Sequence, residues 1–311
     1  LPFASAARAA GREFISNPVA PMFSPEIVAT AVLNGLLTGA VYALVALGLT
    51  LVYGVLHIIN FAHGALLTAA MFAVLVLNLW LGLDPYVAMV PLVPLFFIIG
   101  YALQRFVIGP ASHGNDANIL LVTLGLSILI ENLLLAIFRS DTRTIDVPYA
   151  FMSIDLDFAL LALPRVIAFG VSVVVAAALW ALLALTDTGK AIRAVAKEKL
   201  GAALVGIDVA HVYAVTFGLG TACLAVAACL LMPTFYVSPR AGGAFVFVAF
   251  TIVVLGGMGS IPGALIGGLF IGVVESLSGL YFGESLGQIG IFAIFIAILL
   301  FRPTGLFGAR A

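Results

Sequence analysis

The chain has 311 residues, 64% of them hydrophobic and only 9% charged, with a formal net charge of −1. A water-soluble domain averages about 45–50% apolar and about 25% charged residues, so this composition belongs in a membrane. The near-neutral charge argues against a nucleic-acid partner, and Cys223 and Cys229, inside one apolar run, read as small buried hydrophobes and not as a disulfide or metal pair.

In chain order, residues 1–26 carry Arg8, Arg12 and Glu13 and lack the apolar core of a signal peptide. They read as an N-terminal extension, followed by a retained first span and a single transmembrane domain over 27–308. A span needs about 20 apolar residues. The segments that approach this are 27–53, 58–81, 86–108, 119–138, 163–185, 209–232, 244–258, 262–282 and 286–301. The expected fold is all-α: a polytopic transmembrane helical bundle of about 8–10 spans. Segment 244–258 is short enough to be half a helix or re-entrant.

The charges are clustered. Between two long apolar runs lies TDTGKAIRAVAKEKLGAALVGID, residues 186–208, with Lys190, Arg193, Lys197 and Lys199. As one helix it would place Lys190, Arg193 and Lys197 on one side and Ile192, Ala196, Leu200 and Ala203 on the other. Positive loops stay on the cytoplasmic side, so this loop is expected inside. It is either a solvated loop that sets topology or a docking helix that transmits force from a cytoplasmic partner. Alternation then puts Gly82–Pro85 and the 139–164 loop (Asp141, Asp146, Asp155, Asp157) outside. The loop around Arg105 and His113 falls inside, as do Arg302 and Arg310, while the N-terminus falls outside despite Arg8 and Arg12.

Glycine spacings at Gly35/Gly39, Gly263/Gly267, Gly268/Gly272 and Gly279/Gly283 allow close helix approach in lipid. Two Gly-containing breaks interrupt the apolar pattern. GLTLVYGVLHIINFAHG, residues 48–64, brings Asn60 and His63 into an apolar region, where polar groups must face protein or a water-filled path. LGGMGSIPGALIGG, residues 255–268, is its late counterpart, with Gly263-Ala264-Leu265 echoing Gly64-Ala65-Leu66. Paired interrupted helices in two halves point to a transport pathway. Candidate path residues are Asn34, Asn60, His63, Glu131, Asn132 and Glu275, each of which can equally be an interhelical hydrogen-bonding group. Glu131 and Glu275 are expected near opposite faces of the membrane.

These breaks, together with LLVTLGLSILIEN (120–132), the 189–208 stretch and the terminal FRPTGLFG (301–308), resemble the permease of branched-chain amino acid ABC importers, the LivH type. The resemblance runs from about Asn34 to Gly308. It implies an inner-membrane, multi-pass permease in lipid, working with a second permease subunit or a copy of itself. Two cytoplasmic ABC ATPases and a periplasmic substrate-binding protein complete the set. The resemblance makes 186–208 the ATPase-coupling loop, with Lys190, Arg193, Lys197, Glu198, Gly206 and Ile207 as its candidate contacts. Many members read Glu-Ala-Ala before the Gly-Ile pair, where this chain has Leu200-Gly201-Ala202 and an earlier Glu198.

No nucleotide-binding loop is present: Gly189-Lys190 is followed by Ala191, so ATP is expected on a partner ATPase, with no cofactor on this chain and no covalent chemistry. The resemblance implies a small aliphatic zwitterion as cargo, with a urea or short amide as the alternative. A proton-coupled secondary transporter would use His63 with Glu131 or Glu275. Gly125-Leu126-Ser127 lacks the following Gly and the His motif of a hydrolase.

Overall fold

Ser24 starts the first helix: its hydroxyl accepts the Ile27 N–H and Pro25 occupies the first turn. In this computed structural model the described residues are 24–112, 116–155, 159–283, 286–302 and 305–306. Most of the N-terminal extension, with Arg8, Arg12 and Glu13, lies outside them, as do His113, Asp157, Arg310 and residues 303, 304, 307 and 308 of the terminal motif.

Helix α1 (Pro25–Leu56) ends at His57, whose φ of 57° is left-handed, and α2 (His63–Leu81) begins after an irregular 57–62. Helix α3 (Met89–Ala102) continues through a π-helical turn, Leu103–Ile108, to Ser112; α4 is Asp116–Phe138. A short antiparallel hairpin, β1 (Ser153–Asp155) and β2 (Leu160–Ala162), leads into α5 (Leu163–Leu185). The charged loop folds as α6 (Asp187–Lys197) and α7 (Lys199–Leu204). Helices α8 (Val209–Leu231), α9 (Gly242–Gly256), α10 (Ile261–Phe282) and α11 (Gly287–Phe301) complete the bundle. Among the described residues seven helices are long and apolar enough to cross a membrane, and α9 and α11 are shorter apolar helices. The expected 58–81 and 86–108 spans begin later, at His63 and Met89, because 57–62 and 82–88 form turns and irregular backbone.

Helices α1 and α8 form the buried centre, and α4 lies on the periphery, pinned to α2 by the stacked rings of Phe72 and Phe138 (4.3 Å between centroids). Glycine sets the central spacing. Gly35 and Gly39 of α1 face Gly272 and Gly268 of α10, Gly48 faces Gly220 of α8, and the backbones meet where a side chain would stand. The Gly279/Gly283 spacing does something else. Gly283 has open space around it and a φ of 95°, so it ends α10 and makes no helix seam.

The ends of the bundle separate as alternation demands. At one end Asp84 accepts hydrogen bonds from the Tyr86 N–H (2.8 Å) and the Tyr149 hydroxyl (2.7 Å), joining the 82–85 turn to the 139–164 loop. At the other, Arg105 lies 3.9 Å from Asp208, and Leu306 N–H donates to the Leu255 carbonyl.

Candidate functional site

The first polar break is deep in the bundle. His63 Nε2 lies 3.0 Å from the Val45 carbonyl, so α2 starts beside Val45 and not beside the end of α1. Val45 is about three turns back from Leu56, or about 16 Å at 1.5 Å per residue. The 57–62 segment therefore turns back into the bundle. Asn60 organises it: its Oδ1 accepts the Ala62 N–H at 3.0 Å, and Phe61 N–H reaches Thr123 Oγ1 of α4 at 3.4 Å. Both Asn60 and His63 are buried, and Asn60 Nδ2 has no partner among the described residues.

A second helix start meets the first there. The Gly242 N–H donates to Thr68 Oγ1 (2.9 Å), whose hydroxyl donates to the Gly64 carbonyl (3.1 Å). Gly64 and Gly242 are in backbone contact, leaving no room for a Cβ on either. Helix α9 rises only about 22 Å, short of a hydrocarbon core of about 30 Å. The short segment expected at 244–258, half a helix or re-entrant, is this 15-residue helix. At the far ends of α1 and α9, Gly54 touches Gly259 of the second break, so the two interruptions lie against each other.

The remaining path candidates are dispersed. Asn34 donates to the Thr30 carbonyl (3.1 Å) and to Leu160 (3.3 Å), tying β2 to α1 at the hairpin end. Asn132 is exposed on α4 and bonded to its own helix at Ile128, and Glu131 accepts from Ser127 within the same helix. Glu275 is half-buried and lies beside Tyr42. Glu131 and Glu275 each sit about two turns from the hairpin-side end of their helices. Both therefore lie in the hairpin-side halves of their helices and not at opposite ends of the bundle. Sequence reasoning missed Thr68 and Tyr42; the placement of Thr68 one turn after Gly64 was the available signal.

The family model described as branched-chain amino acid transport system / permease component matches residues 31–300. Over 290 residues the chain is 34% identical to the high-affinity branched-chain amino acid transport system permease protein BraD of Pseudomonas aeruginosa, covering 88% of this chain and 94% of that one. It is 33% identical to the corresponding LivH protein of Salmonella typhimurium, with the same coverage. A probable LivH of Methanocaldococcus jannaschii is 29% identical over 85% of this chain and 88% of its own length.

The chain belongs to the branched-chain amino acid transport permease family.

In this permease the charged loop is two helices, and three caps divide it. Thr186 Oγ1 accepts the Gly189 N–H (3.0 Å), Glu198 Oε1 accepts the Leu200 N–H (3.2 Å), and Asp208 Oδ1 accepts the His211 N–H (3.0 Å). Glu198 is extended, with φ of −154°, and that break corrects the single-helix expectation. Ile192 and Val195 are buried, with Ala196 part-buried, but Leu200 and Ala203 lie past the break and are exposed. Helix α7 ends in a Schellman motif: Gly206 N–H donates to Ala203 and Ile207 N–H to Ala202. Gly206, with φ of 90° and open space around it, is there for its backbone conformation, and Ile207 packs on the core.

Lys190, Arg193 and Lys197 all face away from the bundle. Lys190 bonds Asp187 at 2.9 Å, and that contact holds the Asp187 carboxyl below the usual carboxylate range. Asp208 is lowered too, first by the His211 N–H and further by Arg105. Arg193 and Lys197 enter no ion pair among the described residues.

Proposed function

We propose that this permease is the inner-membrane subunit of an ATP-driven importer for branched-chain amino acids. The observation that carries the reading is the α6–α7 pair. It is a capped element seated on the bundle through Ile192 and Val195, with Arg193 and Lys197 turned outward and in no ion pair among the described residues. Such a face suits a cytoplasmic ATPase: close apposition fixes register, and complementary charge steers the encounter. The α6–α7 end is then cytoplasmic, by the excess of Lys and Arg, and the hairpin end faces a periplasmic binding protein. A second permease, homologous or identical, completes the membrane unit.

The chain itself hydrolyses nothing. Gly189-Lys190-Ala191 lies in the first turns of α6, packed on the end of α5, and lacks the Ser or Thr of a nucleotide-binding loop, so two partner ATPases supply the ATP step. ATP-driven closure of those partners moves α6–α7, and the bundle exchanges access between its two ends as a two-state element. The glycine seams and the buried break at Asn60 and His63 lie between the two ends. The cargo is then leucine, isoleucine and valine, the branched-chain amino acids for whose transport BraD and LivH are named.

Uptake of labelled leucine in cells that carry the complete set of subunits tests the cargo. Deleting this chain is expected to remove saturable leucine uptake. Unchanged leucine uptake together with lost growth on urea or a short amide would overturn the cargo assignment and leave the permease assignment standing.

A further inference from the structure

A cavity of about 280 Å³ lies among α1, α9, α10, the first turn of α11 and the 232–241 segment. Glu275 of α10 and Arg240, just ahead of α9, line the same space, with Tyr42, Ser238, Phe245 and Gln288. The two charges do not close on each other. The ion pairs among the described residues are Arg105–Asp208 and Lys190–Asp187, and neither Glu275 nor Arg240 enters one. Glu275 is part-buried, beside Tyr42 and within electrostatic reach of Arg165, whereas Arg240 is exposed at the rim, so the two opposite charges face one space without pairing with each other.

The apolar part of the wall is aromatic. Phe245 meets Tyr42 edge-on at 6.1 Å and Phe235 at 5.6 Å. A cavity with one carboxylate, one guanidinium and an aromatic wall complements a molecule with one ammonium, one carboxylate and a short hydrocarbon side chain. Its volume falls just below the range of about 300–1,000 Å³ that drug-sized ligands occupy. Its depth suits entry from the hairpin end. Tyr42 lies between Asn34, bonded to the hairpin at Leu160, and Val45, bonded to His63. Beneath it the Gly64–Gly242 junction closes the bundle.

We infer that this cavity is a subsite for a small aliphatic zwitterion entering the permease. Glu275, beside Tyr42, receives the ammonium; Arg240 receives the carboxylate through its planar fork; the side chain lies against Tyr42 and Phe245. The inference rests on the cargo reading above and adds where, and by which charges, the cargo is held.

The test uses membranes carrying the complete transporter with Ser238→Cys, whose thiol is reacted with a small, charged, membrane-impermeant thiosulfonate. Three probes compete: leucine, 4-methylpentanoate, which lacks the ammonium, and 3-methylbutylamine, which lacks the carboxylate. Leucine is expected to slow labelling at concentrations at least tenfold lower than either analogue. Adding Glu275→Gln should erase the advantage of leucine over 4-methylpentanoate, and adding Arg240→Gln its advantage over 3-methylbutylamine. The labelling rate without ligand reports whether each variant still forms the cavity, and Glu275→Asp and Arg240→Lys should restore part of the preference.

A thiol that does not react, leucine protection no better than the analogues, or full leucine preference in either charge variant would overturn the subsite. If the wild-type transporter imports leucine while any of these holds, only the subsite fails. If it imports no aliphatic amino acid at all, the cargo reading fails and the subsite with it.

Discussion

Replacing Gly272 by leucine is expected to deplete folded protein from the membrane, the largest stability effect of any single exchange in the α1–α10 seam. A Cβ at Gly272 would fall on the Gly35 carbonyl and on the backbone of Gly39. These are main-chain atoms of the central helix, so no side-chain rotation relieves the clash and the two helices must part. Overpacking a filled core costs about 1–3 kcal/mol, and more where backbone has to move. Lipid offers no hydrophobic driving force to hold separated helices together, because close packing itself supplies the association. Gly125→Leu is the matched control. It lies on peripheral α4 with nothing within 4 Å of its Cβ position, and it should stay within about 0.5 kcal/mol of the parent. Thermal denaturation of the two purified variants, followed by loss of monodisperse protein, distinguishes them. Equal stability would mean that α1 and α10 do not meet through glycine.

The double variant Arg193→Glu, Lys197→Glu should insert and fold normally yet lose at least about tenfold of its transport, equivalent to about 1.4 kcal/mol of coupling. Both side chains are exposed on α6 and enter no ion pair among the described residues, so reversing them disturbs no internal contact. Juxtaposing like charge on a docking surface costs several kcal/mol. Gly206 gives a companion pair of exchanges. Its left-handed backbone ends α7 in the Schellman motif, and an ordinary side chain there costs about 1–2 kcal/mol. Gly206→Asn, which tolerates that conformation, should keep transport, whereas Gly206→Trp should lose both the cap and the close approach of a partner. ATPase copurification and leucine uptake are the readouts. Full uptake by correctly inserted charge-reversed protein would remove α6 from the docking surface.

The long apolar segments were readable because membrane spans are long and continuous, and the bundle, its two breaks and its short ninth helix follow from hydropathy and glycine alone. Depth was less legible. That α2 starts beside Val45 depends on a hydrogen bond between residues 18 apart in the chain, and no periodicity encodes the return of 57–62 into the bundle. The loop shows the same limit on a smaller scale. A 3.6-residue period runs through Glu198 unbroken, whereas the carboxylate of Glu198 caps a new helix and throws Leu200 and Ala203 outward. Of the path candidates, Asn60 and His63 come together because they share one break. Asn34, Asn132 and Glu131 had the right chemistry, but each satisfies its hydrogen bonds on its own helix or, for Asn34, also on the hairpin. Arg240 drew no attention as a single cation between apolar runs; only the cavity it shares with Glu275 gives it a role.

Leucine flux in proteoliposomes tests the central claim most directly. The vesicles would contain this permease, its partner permease and the ATPases, with the binding protein on the hairpin side. ATP supplied on the α6–α7 side alone should drive leucine from the hairpin side toward it, with no dependence on an imposed proton gradient and no flux when the ATPases are omitted. Uptake that persists without the ATPases and collapses with a protonophore would contradict the account and make the chain a secondary transporter.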